Sequence, residues 1–186
     1  MNKFYTLLIL SLITAYAPGA SALDIKATVS VENQASNDLE AVFKKGVSAY
    51  ERKQYIEAYK YFLQVAQKGN AAAQYNIGLI YDEGLGKKQN YKEALKWYQL
   101  SAEQGYPEAE NSLAIMYENG LAVERNINEA FKLYKSAAEK GNAVAQKNLG
   151  LMYEEGHGIQ KDYIKAAKWY RLSAEQSNPS AQYSLG

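Results

Sequence analysis

This 186-residue sequence predicts an all-α fold made of one pair of helices repeated along the chain. Three observations carry the prediction. Residues recur at a period of 36, apolar side chains within a period fall at helical spacing, and glycines or capping residues punctuate the junctions.

The period shows at many positions at once. Gly69, Gly105, Gly141 and Ser177 lie 36 residues apart, as do Tyr81, Tyr117 and Tyr153, and Gly84, Gly120 and Gly156. Ala94, Ala130 and Ala166 keep the same register and are followed by Tyr98, Tyr134 and Tyr170. Trp97 and Trp169 match across two periods, with Leu133 between them.

From the start of the chain, residues 1–22 read as a signal peptide. Lys3 supplies the positive end, Phe4 to Ala17 is apolar, Pro18 and Gly19 break the run, and Ala20-Ser21-Ala22 offers a cleavage site. The apolar run is short of the roughly 20 residues a membrane span needs. Cleavage after Ala22 places the mature chain in the periplasm or outside the cell, with no integral membrane span. Residues 23–36 show no helical periodicity and are expected to form a flexible leader. Residues 37–68 form a divergent first unit: Gly46 and Ala58 are 12 apart, whereas Gly78 and Ala94 are 16 apart, so four loop residues are missing. That spacing resembles a tetratricopeptide unit, expected to cap the array.

Three full repeats follow, 69–104, 105–140 and 141–176. Within the first, helix A is expected over 71–82, with Ala73, Ile77, Gly78 and Tyr81 on one face. Helix B is expected over 91–104, with a buried stripe of Ala94, Trp97, Tyr98, Ser101 and Ala102. Small residues at 78, 114 and 150 let neighbouring helices approach, while tyrosine and tryptophan fill the core. Asn90, Asn126 and Asp162 sit where helix B needs an N-cap. Glu93 and Glu129 complete capping boxes, and Lys165 in that position leaves the third half made. Gly86 and Gly158 correspond to Ala122, so the second loop is expected to adopt another turn. Residues 177–186 repeat only the opening of helix A, which leaves the last apolar face without a polar cap; either the chain is part of a longer array, or its last half-unit frays or pairs with something else.

The pattern A-x-x-x-(L/I)-G-x-x-Y-(D/E)-x-G-x-G, followed by A-x-x-W-Y-x-x-(S/A)-A-E-x-G, resembles the Sel-1-like repeat. The resemblance covers Gly69 to Ser177. It implies antiparallel helix pairs stacked into a right-handed superhelix related to tetratricopeptide arrays, acting as a scaffold or adaptor for proteins. For exported bacterial members it implies envelope or host-interaction roles.

Chemistry is hard to place on this chain. It has no cysteine, so a disulfide framework, a thiolate metal site and a cysteine nucleophile are excluded. The one histidine, His157, lies between two loop glycines with no second histidine to complete a zinc site. Serine-hydrolase, penicillin-binding and phosphate-loop motifs are missing. The β-lactam activity described for cysteine-rich relatives is not carried over. Lys+Arg is 21 and Asp+Glu is 20, which is not the footprint of a nucleic-acid binder. No catalytic residue, metal or cofactor is expected.

A binding face is expected on the A helices. Facing away from the Ile77/Gly78/Tyr81 stripe are Tyr75, Leu79, Asp82 and Glu83; then Asn111, Ile115, Glu118 and Asn119; then Lys147, Leu151, Glu154 and Glu155. This gives an apolar centre of Leu79, Ile115 and Leu151 with an acidic edge, the anatomy of a groove for a protein or peptide. Carboxylates at helix C-termini oppose the macrodipole at about 0.3–1 kcal/mol each, so something beyond helix stability keeps them there. An inhibitor or immunity protein for an envelope toxin is one form of this reading. The alternative is a cell-wall or glycan-acting protein using Glu118 and Glu154.

Overall fold

The computed structural model describes residues 22–176; residues 1–21, which hold nearly all of the expected signal peptide, and residues 177–186, the expected partial repeat, lie outside the described residues. Eight helices and no strand occur among them. They are α1 (Ala22–Glu51), α2 (Tyr55–Ala66), α3 (Ala71–Glu83), α4 (Tyr91–Ala102), α5 (Pro107–Asn119), α6 (Ile127–Glu139), α7 (Ala143–Glu155) and α8 (Tyr163–Glu175). The chain divides into two units, Met1–Val42 and Phe43–Gly186.

The first unit, as far as it is described, is helical from Ala22 onward. This corrects the expectation that 23–36 lacks helical structure. No glycine or proline occurs between Ala22 and Lys45, so nothing in the backbone stops a helix, even without an apolar stripe to reveal it.

In the second unit the helices pair as hairpins. The tightest packing is within a pair, α3 on α4, α5 on α6 and α7 on α8, and each pair then stacks on the next through α2–α3, α4–α5 and α6–α7. The core runs as successive clusters, with the partly buried Tyr117 and Leu133 packed against both of the two that follow. Ala94, Tyr98, Leu113 and Met116 form one buried cluster. Ala114, Ala130, Tyr134, Ala137, Ala138, Ala145, Leu149 and Met152 form the next. A repeat cannot bury its apolar stripe alone and does so against its neighbours. This is an α-solenoid.

Local sequence explains the helix ends. Helices α3, α5 and α7 stop at Gly84, Gly120 and Gly156, which take left-handed φ of 70°, 70° and 73°. At their starts, Asn70 and Asn142 cap the backbone N–H groups of Ala73 and Ala145 at 2.9 and 2.8 Å. Tyr106 in the same place offers no such cap. Pro107 at the first helical position compensates, having one N–H fewer to satisfy.

Two loop expectations need correction. Ala122 keeps the left-handed turn of Gly86 and Gly158, with φ of 57° against 65° and 70°. Packing of the repeat dictates the turn, and the methyl group tolerates it at about 1–2 kcal/mol. The capping boxes are also not closed as expected. Asn90, Asn126 and Asp162 do accept backbone N–H bonds in the first turn of helix B. Their own N–H groups, however, donate to the carbonyls of Tyr81, Tyr117 and Tyr153, each at 2.9 Å. With that donor used across the loop, Glu93 and Glu129 turn instead to Lys96 and Lys132, at 2.6 and 2.9 Å. Asp162 is therefore no weaker a cap than the others, and Lys165 folds back onto it at 3.0 Å.

Candidate functional site: the A-helix face

The acids at the ends of the A helices have internal partners. In each full repeat the ring of the helix-B tyrosine lies on the small residue of helix A, and its hydroxyl reaches the carboxylate one turn further on. Tyr98 donates to Asp82 at 3.0 Å, Tyr134 to Glu118 at 2.7 Å and Tyr170 to Glu154 at 2.6 Å. The approach is close enough that a Cβ on Gly78 would come within 2.5 Å of the Tyr98 ring, and one on Gly150 within 2.7 Å of Tyr170. Burial pushes the Tyr98 and Tyr134 hydroxyls well above the ordinary tyrosine range, and the neighbouring carboxylates push them further. These tyrosines stay neutral and act as donors.

The expected face therefore divides. Asp82, Glu118 and Glu154 hold the core tyrosines. Asn111 is buried, not exposed: Asn148 of α7 donates to it at 3.2 Å, and Lys147 donates to Asn148 at 3.1 Å. Tyr75 packs between Tyr98 and Tyr106, with ring centroids 5.8 and 5.5 Å away, and burial raises its pKa to about 12. Leu79 and Ile115 are half-buried against the two core clusters, and Leu151 is also half-buried. Glu83 and Glu155 are exposed; Glu155 has His157 at 3.2 Å. The face keeps its apolar centre and loses much of its free acidic edge.

A second set of residues escaped sequence reasoning. Gln74, Glu110 and Gln146 are equivalent and buried in the first turns of α3, α5 and α7. Gln104 donates to Gln74 at 2.7 Å and Gln176 to Gln146 at 2.8 Å. In the middle repeat an ion pair replaces this amide pair: Lys140 lies 2.5 Å from Glu110 Oε1, and Ser136 donates to the same oxygen at 3.0 Å. Glu110 Oε2 is buried with no protein donor. The signal was the spacing of 30 residues, Gln–Gln, Glu–Lys, Gln–Gln, which a search for apolar stripes passes over.

Among the described residues no group of three or more His, Cys, Asp or Glu side chains could hold a metal ion. What the geometry defines is a class: an α-solenoid of helical hairpins with an internal tyrosine–carboxylate ladder. The profile described as Sel1 repeat matches residues 44–70, 71–106, 107–142 and 143–178. The chain belongs to the Sel1 repeat family, whose arrays are protein-interaction scaffolds. Residues 37–68, read as a tetratricopeptide-like repeat, are matched from residue 44 as a short Sel1 repeat. A Sel1 repeat protein from Oxalobacter formigenes is 37% identical, with a TM-score of 0.71 over 77% of this chain and 59% of that one. A protective antigen of uropathogenic Escherichia coli is 33% identical, with a TM-score of 0.69 over 77% of this chain and 32% of that one. This chain thus spans less than two thirds of either relative. The cysteine-rich protein B of Helicobacter pylori, 17% identical, shares the fold, with a TM-score of 0.56 over 69% of this chain and 92% of its own. No curated protein matches the chain.

Proposed function

We propose that this protein is an exported scaffold that holds a protein or peptide segment against its A helices, centred on Leu79, Ile115 and Leu151. The observation that carries the reading is the recurrence of these three half-exposed apolar residues at one position of successive A helices. An apolar centre with polar surroundings suits an extended or helical protein segment. Inhibition of an envelope toxin is one case of the same mechanism. Export is supported by Lys3, the apolar run to Ala17 and the small residues before Leu23. Among the described residues no helix is long and apolar enough to cross a membrane.

The test compares the intact protein with a variant carrying Leu79→Ser, Ile115→Ser and Leu151→Ser, after circular dichroism shows equal helix content. A partner captured from envelope extract is identified, purified and titrated against both. Binding lost only in the variant is the expected result; equal affinity for both removes the face from consideration. Export is checked separately, by the N-terminus of the protein recovered from the periplasmic fraction, expected at Leu23.

A further inference from the structure

The first hairpin carries two adjoining hollows that share no residue with the A-helix face. One, of about 620 Å³, is lined by Tyr55, Ile56, Lys60, Tyr61 and Gln64 of α2 and its flank, with Gly86 of the next loop at its edge. The other, of about 450 Å³, lies between Lys45, Ser48 and Arg52 on one side and Glu57 and Tyr61 on the other. Gln54, Glu57 and Tyr61 line both, so the hollows flank a single ridge.

Charge distinguishes this surface from its counterparts in the next two repeats. In the next two repeats the equivalent glutamates, Glu93 and Glu129, hold Lys96 and Lys132. Here Glu57 accepts from the Tyr61 hydroxyl at 3.3 Å, and Lys60 is left without that partner. The shortened elbow at 52–54 adds Arg52 and Lys53 to the rim of the hollows, and Lys45 faces them from α1. Four cations therefore surround one carboxylate whose oxygen is already engaged. Ile56, 62% exposed, stands where the next two repeats have Lys92 and Asn128 and the last has the exposed Ile164. We infer that this face binds an acidic peptide segment, its carboxylates meeting Arg52 and Lys60 and an apolar side chain resting on Ile56. Hollows on both sides of a ridge accept successive side chains of an extended chain, whereas a flat anionic membrane would touch only the ridge. The inference does not depend on the reading of the A-helix face.

The probe is a fluorescein-labelled 12-residue peptide of alternating glutamate and leucine, titrated by anisotropy into the full chain. Saturable one-to-one binding is expected, weakened at least tenfold by Arg52→Glu with Lys60→Glu and several-fold by Ile56→Ser. It should also weaken when salt is raised to about 0.5 M, where screening acts within a few ångströms. Lys168→Glu on α8 is the control and should change nothing. If the charge reversal disturbs folding, Lys45→Gln with Lys60→Gln replaces it and should still cost several-fold. Absence of saturable binding, or binding indifferent to these substitutions, overturns the inference. So does tighter binding to vesicles of three parts neutral to one part anionic phospholipid through the same residues, which would assign the face to a membrane.

Discussion

The first hairpin and the three that follow solve one packing problem in two ways. In all of them an aromatic ring of helix B lies on a small residue of helix A: Phe62 on Gly46, Tyr98 on Gly78, Tyr134 on Ala114 and Tyr170 on Gly150. A Cβ on Gly46 would come within 2.7 Å of the Phe62 ring, as tight as in the full repeats. The difference is at the tip of the ring. In the full repeats it is a hydroxyl, and the residue four positions beyond the small one is Asp82, Glu118 or Glu154. In the first hairpin the tip is apolar, and that position holds Tyr50, whose ring packs 6.5 Å from Phe62 and 5.3 Å from Tyr55. Acid and hydroxyl occur together or not at all, because a buried hydroxyl without a partner costs about 1–3 kcal/mol. Asp82, Glu118 and Glu154, which looked like part of a binding edge, are each half of an internal bond.

Alkaline pH should separate the two solutions most strongly. Tyr98 and Tyr134 keep their protons in the folded state well above the ordinary value of 10, so the folded chain binds more protons than the unfolded one. Their contribution is fully present below about pH 10 and falls as pH rises, by about 1.4 kcal/mol per unit for each residue. Tyr75, raised to about 12, adds to the fall between pH 10 and 12. Urea titrations across that range should show the decline, with a shallower slope for Tyr98→Phe. An unchanged slope in that variant would break the comparison.

At neutral pH, Tyr98→Phe alone should cost about 2 kcal/mol, the worth of a hydrogen bond to a charged group. Adding Asp82→Tyr, which transplants the first hairpin's solution, should recover part of it; no recovery would mean that the ring tip and its neighbour are not exchangeable as a pair. The converse change, Phe62→Tyr, places a hydroxyl beside Tyr50 and should cost about 1 kcal/mol by chemical denaturation. Ala122→Gly is the mildest test. It relieves the left-handed methyl group and should raise stability by up to about 1 kcal/mol, a gain that Gly86 and Gly158 already provide in their own repeats.

Much of this was legible in the residues. The period fixed the number of full hairpins, and the glycines after Tyr81, Tyr117 and Tyr153 placed the ends of the A helices within a residue. Asn90, Asn126 and Asp162 placed the starts of the B helices. Those features are local, set by backbone conformation and by the orphan N–H groups of a helix, so a linear reading finds them. The helix over 23–36 carries no apolar stripe, so it leaves no periodic mark in the residues.

The candidate site was read less well, for a physical reason. Helical periodicity tells which way a side chain points but not how far a side chain on the next helix reaches. Asp82 lies off the apolar stripe and looks free until Tyr98, drawn down onto Gly78, brings its hydroxyl to the carboxylate. Asn111 looks exposed until α7 stacks beside α5. The period of 36, the glycine ends of the A helices and the side chains that cap the B helices are legible in the residues, because each is set by interactions within about ten residues. Which polar groups are left for a partner emerges once the helices pack, because each is claimed or released by a side chain 16 to 37 residues away.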